Sequence, residues 1–161
     1  MKSTLYLDMD GVVADFDKYA FHAIGALPSG GIYPDDKWDK LALNERLYRD
    51  LDKTPYADEL VDFCREFAWN KYNFYFLTAV PKNNDLKWSF YDKVLWAQKH
   101  FPNIPVMFGP YSKDKHEHCQ IGDILIDDRT SNIEEWRAVG GIGILHKNFK
   151  DTIEALKNLQ D

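Results

Sequence analysis

Leu5-Tyr6-Leu7-Asp8-Met9-Asp10-Gly11-Val12-Val13-Ala14-Asp15 is the stretch from which the rest of the chain can be read. With Thr4, its first three residues form an apolar, β-prone run that stops at two carboxylates one residue apart. Alternate side chains of a strand share a face, so Asp8 and Asp10 point the same way if the strand continues. Gly11 lets the backbone turn tightly and approach a ligand closely. Two like charges at the carboxyl end of a buried strand are costly unless a positive group sits between them. A hard divalent cation meets that need, and phosphate chemistry is its simplest use.

Four further β-rich runs follow, at residues 73–77, 104–108, 123–126 and 141–145, with helical patterns between them. Leu60, Phe63, Cys64 and Phe67 fall at i, i+3, i+4 and i+7, one face of an amphipathic helix. Leu86, Phe90, Val94 and Ala97 predict a second apolar stripe, ended by Pro102. Ser131-Asn132-Ile133-Glu134-Glu135 opens a helix that Gly140 and Gly141 close, and Asp151-Thr152-Ile153-Glu154 opens a last one. Strands alternating with helices predict a doubly wound α/β fold with a mostly parallel, five-stranded, Rossmann-like sheet.

The rhythm breaks between about residues 17 and 53. Turn signals at Pro28-Ser29-Gly30-Gly31 and Pro34-Asp35-Asp36 punctuate helical pieces there, among Tyr19, Phe21, Tyr33, Trp38 and Tyr48. This segment is read as a small helical cap inserted after the first strand of a single domain spanning 1–161. Open α/β sheets bind ligands outside the carboxyl ends of their strands, where such an insertion would lie.

Composition narrows the possible functions. The chain is 45% hydrophobic over 161 residues, too apolar for disorder and sized for one domain. Its net charge of −6 argues against a nucleic-acid polymer as partner. Cys64 and Cys119 are the only cysteines. The first apolar run is too short for a signal peptide, and no stretch is long enough to span a membrane. A cytoplasmic protein with reduced thiols is expected, and a homodimer is left open.

Three more signals fall at the same edge of the expected sheet as Asp8. Thr78 and Ala79 follow the second strand, and Asp127-Asp128-Arg129 follows the fourth. Between these lies Ser112-Lys113-Asp114-Lys115, a polar loop with two cations. Asp-x-Asp, Thr, Lys and Asp-Asp, in that order, together resemble the haloacid dehalogenase superfamily of phosphatases. Asp8 to Phe16 and Leu125-Ile126-Asp127-Asp128-Arg129 are similar in particular to the 5′(3′)-deoxyribonucleotidase family.

The resemblance implies hydrolysis of (deoxy)ribonucleoside monophosphates through an aspartyl-phosphate. Asp8 would be the nucleophile and Asp10 the general acid and base. Mg²⁺ would be held by Asp8, Asp127, Asp128 and the backbone carbonyl of Asp10. Gly11, Thr78, Ala79 and Lys115 would bind the phosphate; Lys113 is the rival cation, and Lys82 a weaker one. Phe16 and Trp38, with Tyr33 and Phe21 as further candidates, would meet the base or sugar. The rival readings are a phosphatase for another small metabolite and a non-catalytic nucleotide-binding or signalling domain. A receiver-like domain carries its acidic pair on the first strand and its phospho-acceptor on the third, unlike the order here. His116-Glu117-His118-Cys119 hints at a transition metal, but no second Cys/His cluster accompanies it.

Overall fold

The computed structural model of the chain describes residues 1–25, 35–82 and 86–160. Tyr33 and the turn at 28–31 lie outside the described residues. Five strands form one sheet in the order β3-β2-β1-β4-β5. They are β1 (Ser3–Leu7), β2 (Tyr72–Thr78), β3 (Val106–Phe108), β4 (Ile124–Asp127) and β5 (Ile142–Leu145), and every neighbouring pair is parallel.

The first and fourth strands read as unbroken apolar runs because both faces of the sheet are covered. Leu5, Leu7, Phe76, Ile124 and Ile126 point into the larger core, whereas Tyr6, Leu77 and Leu125 point into a smaller one. Helices α4 (Ala57–Ala68), α5 (Ser89–His100) and α7 (Phe149–Gln160) contribute to the larger core. Helix α6 (Thr130–Ala138) closes the smaller core with Ile133 and Trp136, whose indole Nε1 donates to the Asp123 carbonyl at 3.1 Å. The result is the expected doubly wound α/β sandwich.

Register fixes the site. Leu7 pairs with Phe76 on one side and with Ile126 on the other. The residues immediately beyond, Asp8 and Asp127, therefore emerge side by side at the carboxyl edge, and the Asp8 amide donates to the Ile126 carbonyl at 2.9 Å. Thr78, last in β2, ends one residue further along the same edge.

Three short helices occupy the described part of the segment between β1 and α4: α1 (Phe16–Ile24), α2 (Lys37–Leu41) and α3 (Leu47–Asp50). Asp15 caps the first by accepting from the Lys18 amide at 3.1 Å, and Gly25, at φ +94°, ends it. The Ser112–His118 segment, expected as a loop, is a 3₁₀ helix.

Helix α5 departs from the expected stripe. Phe90 is 49% exposed and packs on Phe108 with ring centroids 4.9 Å apart. The buried face is instead Ser89, Asp92, Lys93, Trp96 and Ala97. Hydropathy misses this rotation because two of those five residues are charged and each meets a charged partner. Arg46, just before α3, grips Asp92 with both ends of its guanidinium: Nε donates to Oδ2 at 2.7 Å and Nη2 to Oδ1. Breaking an ion pair from one side leaves the buried carboxylate uncompensated, whereas an exposed pair contributes little. Arg46→Met should therefore lower the melting temperature clearly, while Arg49→Met, which removes the exposed pair to Asp50, should leave it nearly unchanged; thermal denaturation followed by circular dichroism makes the comparison.

Candidate active site

The strand ends deliver three carboxylates to one spot. Oxygens of Asp8, Asp127 and Asp128 all lie within 4.8 Å of one another. Lys115, on the 3₁₀ helix and 2% exposed, donates to Asp8 Oδ1 at 2.8 Å and to Asp127 Oδ2 at 2.7 Å. Of the two candidate cations in that segment, Lys115 reaches the acids and Lys113 is exposed. The Nζ of Lys82 sits over the Tyr111 ring, 4.4 Å from its centroid. Asn132 of α6 donates to Asp127 Oδ2 at 3.1 Å, and the Arg129 amide to Oδ1 at 2.9 Å, so both oxygens of this buried acid are held.

One ammonium does not balance three acids. Burial and the neighbouring Asp127 charge push the Asp8 carboxyl well above its ordinary range, against the pull of Lys115. Burial and Asp127 likewise push Asp128 up to about 6. Burial tends to lower the Lys115 pKa, but Asp8 and Asp127 outweigh it and hold the ammonium above its usual range.

Beyond Asp8 the chain folds back on itself. The amides of Val12, Val13 and Ala14 all turn toward the Met9 carbonyl, at 3.2, 2.9 and 2.9 Å. Gly11 takes φ +79°, and a Cβ there would stand 2.1 Å from Asp128 Oδ2. The bend carries Asp10 away from the three-acid cluster toward α5. There Lys93, 1% exposed, donates to Asp10 Oδ2 and to Thr78 Oγ1, both at 2.8 Å.

A cleft of about 460 Å³ opens over these groups. Its floor includes Asp8, Asp10, Gly11, Ala79, Lys115, Asp127 and Asp128. Its roof is aromatic: Phe16 stacks on Tyr48, with centroids 6.2 Å apart, and lies 6.1 Å from Trp38. Lys37 and Arg129 also line it. Burial, with the Asp10 charge close by, pushes the Tyr48 phenol well up, so it stays protonated. Thr78 is fully buried and stands behind the cleft wall. Phe21 is 45% exposed and lies outside the lining.

The His116-Glu117-His118-Cys119 run does not converge. His116 Nδ1 is 3.6 Å from Glu135, and His118 Nε2 meets the Gly109 carbonyl at 3.2 Å. Among the described residues, Asp8, Asp127 and Asp128 form the gathered group with metal-ligand chemistry. Sequence reasoning missed Lys93 and Asn132 as site neighbours and left Tyr48 among scattered aromatics. The signal for Lys93 was present: it precedes Trp96 by three residues and Ala97 by four, on one helix face.

Residues 36–156, about three-quarters of the chain, match the family described as 5′ nucleotidase, deoxy (pyrimidine), cytosolic type C protein. The chain belongs to that family. It is thereby a nucleotidase-type phosphatase of the haloacid dehalogenase superfamily, as the motif order implied. The span matched to the nucleotidase family includes Thr78, Lys93, Lys115, Asp127 and Asp128 and begins after Asp8 and Asp10. Among solved structures, a haloacid dehalogenase family enzyme from Bacteroides thetaiotaomicron, in a magnesium complex, is 19% identical. That similarity covers 91% of this chain and 93% of the other, with a TM-score of 0.46. A hydrolase from Pseudomonas syringae is 15% identical over 96% of this chain and 90% of its own, with a TM-score of 0.49. No curated protein matches the chain significantly. No helix among the described residues is long and apolar enough to cross a membrane.

Gly11→Ala tests the bend. A left-handed backbone with a side chain costs about 1–3 kcal/mol, and the added methyl must displace Asp128. Urea unfolding should show that loss, and a crystal structure of the variant should show the Asp128 carboxylate moved.

Proposed function

We propose that the protein is a Mg²⁺-dependent phosphomonoesterase acting on deoxyribonucleoside monophosphates through a phosphorylated Asp8. The observation that carries the reading is the three-acid cluster clamped by one buried lysine beneath an aromatic-roofed cleft.

The donor set fits a hard divalent ion. Its carboxylate oxygens converge, and three acids share the one buried ammonium of Lys115. Asp8, Asp127, Asp128 and the Asp10 carbonyl would hold the ion. When bound, Mg²⁺ supplies charge neutralisation, so that a phosphate dianion can approach Asp8.

The steps on the protein's own residues follow. A carboxylate oxygen of Asp8 attacks phosphorus while the bond from phosphorus to the ester oxygen breaks. Asp10, protonated, passes its proton to that leaving oxygen and frees the nucleoside. A water then attacks the phosphorus of phospho-Asp8, Asp10 takes back a proton from it, and the bond from Asp8 to phosphorus breaks. Lys115, and the amides around Gly11 and Ala79, are suited to stabilise charge on the phosphoryl oxygens. Phe16, Trp38 and Tyr48 offer flat apolar faces to a base.

Asp8→Asn should abolish phosphate release while keeping the native circular dichroism spectrum; retained turnover would sink the mechanism. Across a panel of deoxynucleoside, ribonucleoside and sugar monophosphates, Mg²⁺-dependent release should favour deoxynucleotides. Sugar phosphates as the sole substrates would overturn the substrate assignment and leave the chemistry standing. Mg²⁺ should also raise the melting temperature of the wild type, since an ion that binds only the folded state stabilises it by mass action. Asp127→Asn should cancel that shift.

A further inference from the structure

We infer that Lys93 is a positioning residue for catalysis: from behind the cleft it fixes the orientation of Asp10 and Thr78 together. The inference rests on the proposed role of Asp10 as general acid; Thr78, fully buried behind the cleft wall, is the second anchor of the ammonium. Lys93 projects from the inner face of α5, is 1% exposed and does not line the cleft. It therefore has no direct access to a substrate there. Its ammonium donates at 2.8 Å to Asp10 Oδ2 and at 2.8 Å to Thr78 Oγ1. The Tyr48 ring covers it, with Nζ 4.4 Å from the ring centroid, a cation–π contact that also shields the pair from water.

The geometry has two chemical consequences. An ammonium has donors only, so whatever it holds must accept. With Oδ2 held, Asp10 is left to carry its transferable proton on Oδ1. Thr78 Oγ1, behind the wall, accepts from the same ammonium and so ties it to the end of β2. One buried cation thereby sets which oxygen of the acid is the working one.

General-acid help matters for a poor leaving group such as a nucleoside alkoxide and little for p-nitrophenolate. Lys93→Met, Lys93→Arg and Asp10→Asn should each be assayed for kcat and KM on a deoxynucleoside monophosphate and on p-nitrophenyl phosphate. Lys93→Met should lower kcat on the nucleotide on the order of a hundredfold, with KM changed far less. The loss on p-nitrophenyl phosphate should be about tenfold smaller, and Lys93→Arg should recover part of the nucleotide rate. Equal losses on both substrates, with no recovery in Lys93→Arg, mean that Lys93 only supports packing and overturn the inference. Should Lys93→Met not fold, Lys93→Gln carries the same comparison, and an unchanged ratio between the two substrates overturns it. If Asp10→Asn itself loses both activities equally, the general-acid reading fails. If Asp10→Asn discriminates between them and Lys93→Met does not, only the role of Lys93 fails.

Discussion

The ammonium of Lys115, sealed between Asp8 and Asp127, is the contact on which the rest of the site depends. Parallel strands β1 and β4 end side by side, β1 leading directly into Asp8 and β4 ending in Asp127. Without a cation between them that edge of the sheet would carry two adjacent buried carboxylates, an arrangement whose desolvation and repulsion oppose folding. The lysine comes from a tight 3₁₀ turn that docks against α6 and brings a buried positive charge to within hydrogen-bond distance of both acids. Burial, with the Asp127 charge beside them, holds the carboxyls of Asp8 and Asp128 raised, and a further positive charge would relieve the repulsion.

Much of this was open to reading in one dimension. Asp8, Thr78 and Asp127 each terminate an apolar run, and a parallel sheet aligns such run ends at one edge whatever the loops between them do. The same logic calls for a cation from the connection before β4, which offers both Lys113 and Lys115; the contacts to the acids pick Lys115. The buried face of α5 was only half legible: the spacing of Lys93 to Trp96 and Ala97 puts it on that face, but nothing nearby in the chain names its partner. Apolar periodicity assumes that charged residues face water, so it turned the helix until Phe90 looked inward and Asp92 and Lys93 outward. Their partners are Arg46, in another segment, and Asp10, more than eighty residues earlier. No local pattern registers pairings at that range. Tyr48 was hidden for a related reason: in a short helix one aromatic among several does not declare which face it presents.

The division of labour across the cleft follows from chain topology. Groups suited to chemistry hang from strand ends, whose positions the backbone ladder fixes. Groups suited to recognition hang from α1, α2 and α3, whose base is tied by backbone bonds from Asp15 to Asp52 and from Thr54 to Val13. Phe16 stacks on Tyr48 and meets Trp38 at a tilt of 51°, so the central ring limits the rotamers of both neighbours and the roof presents a formed surface. Rigid flat faces lose little entropy when a planar ligand slides between them.

Asp92 and Lys93 are consecutive on α5 yet serve different clients, the first gripping Arg46 beside the roof and the second gripping Asp10 below it. Successive residues of an α-helix point about 100° apart. The two contacts together therefore fix the helix as a key fixes a lock barrel, in angle as well as in height. A single inserted or deleted residue within α5 ahead of this pair would turn both charges away from their partners at once. Over evolutionary time the helix can exchange its outward residues freely, but its phase is not free to drift.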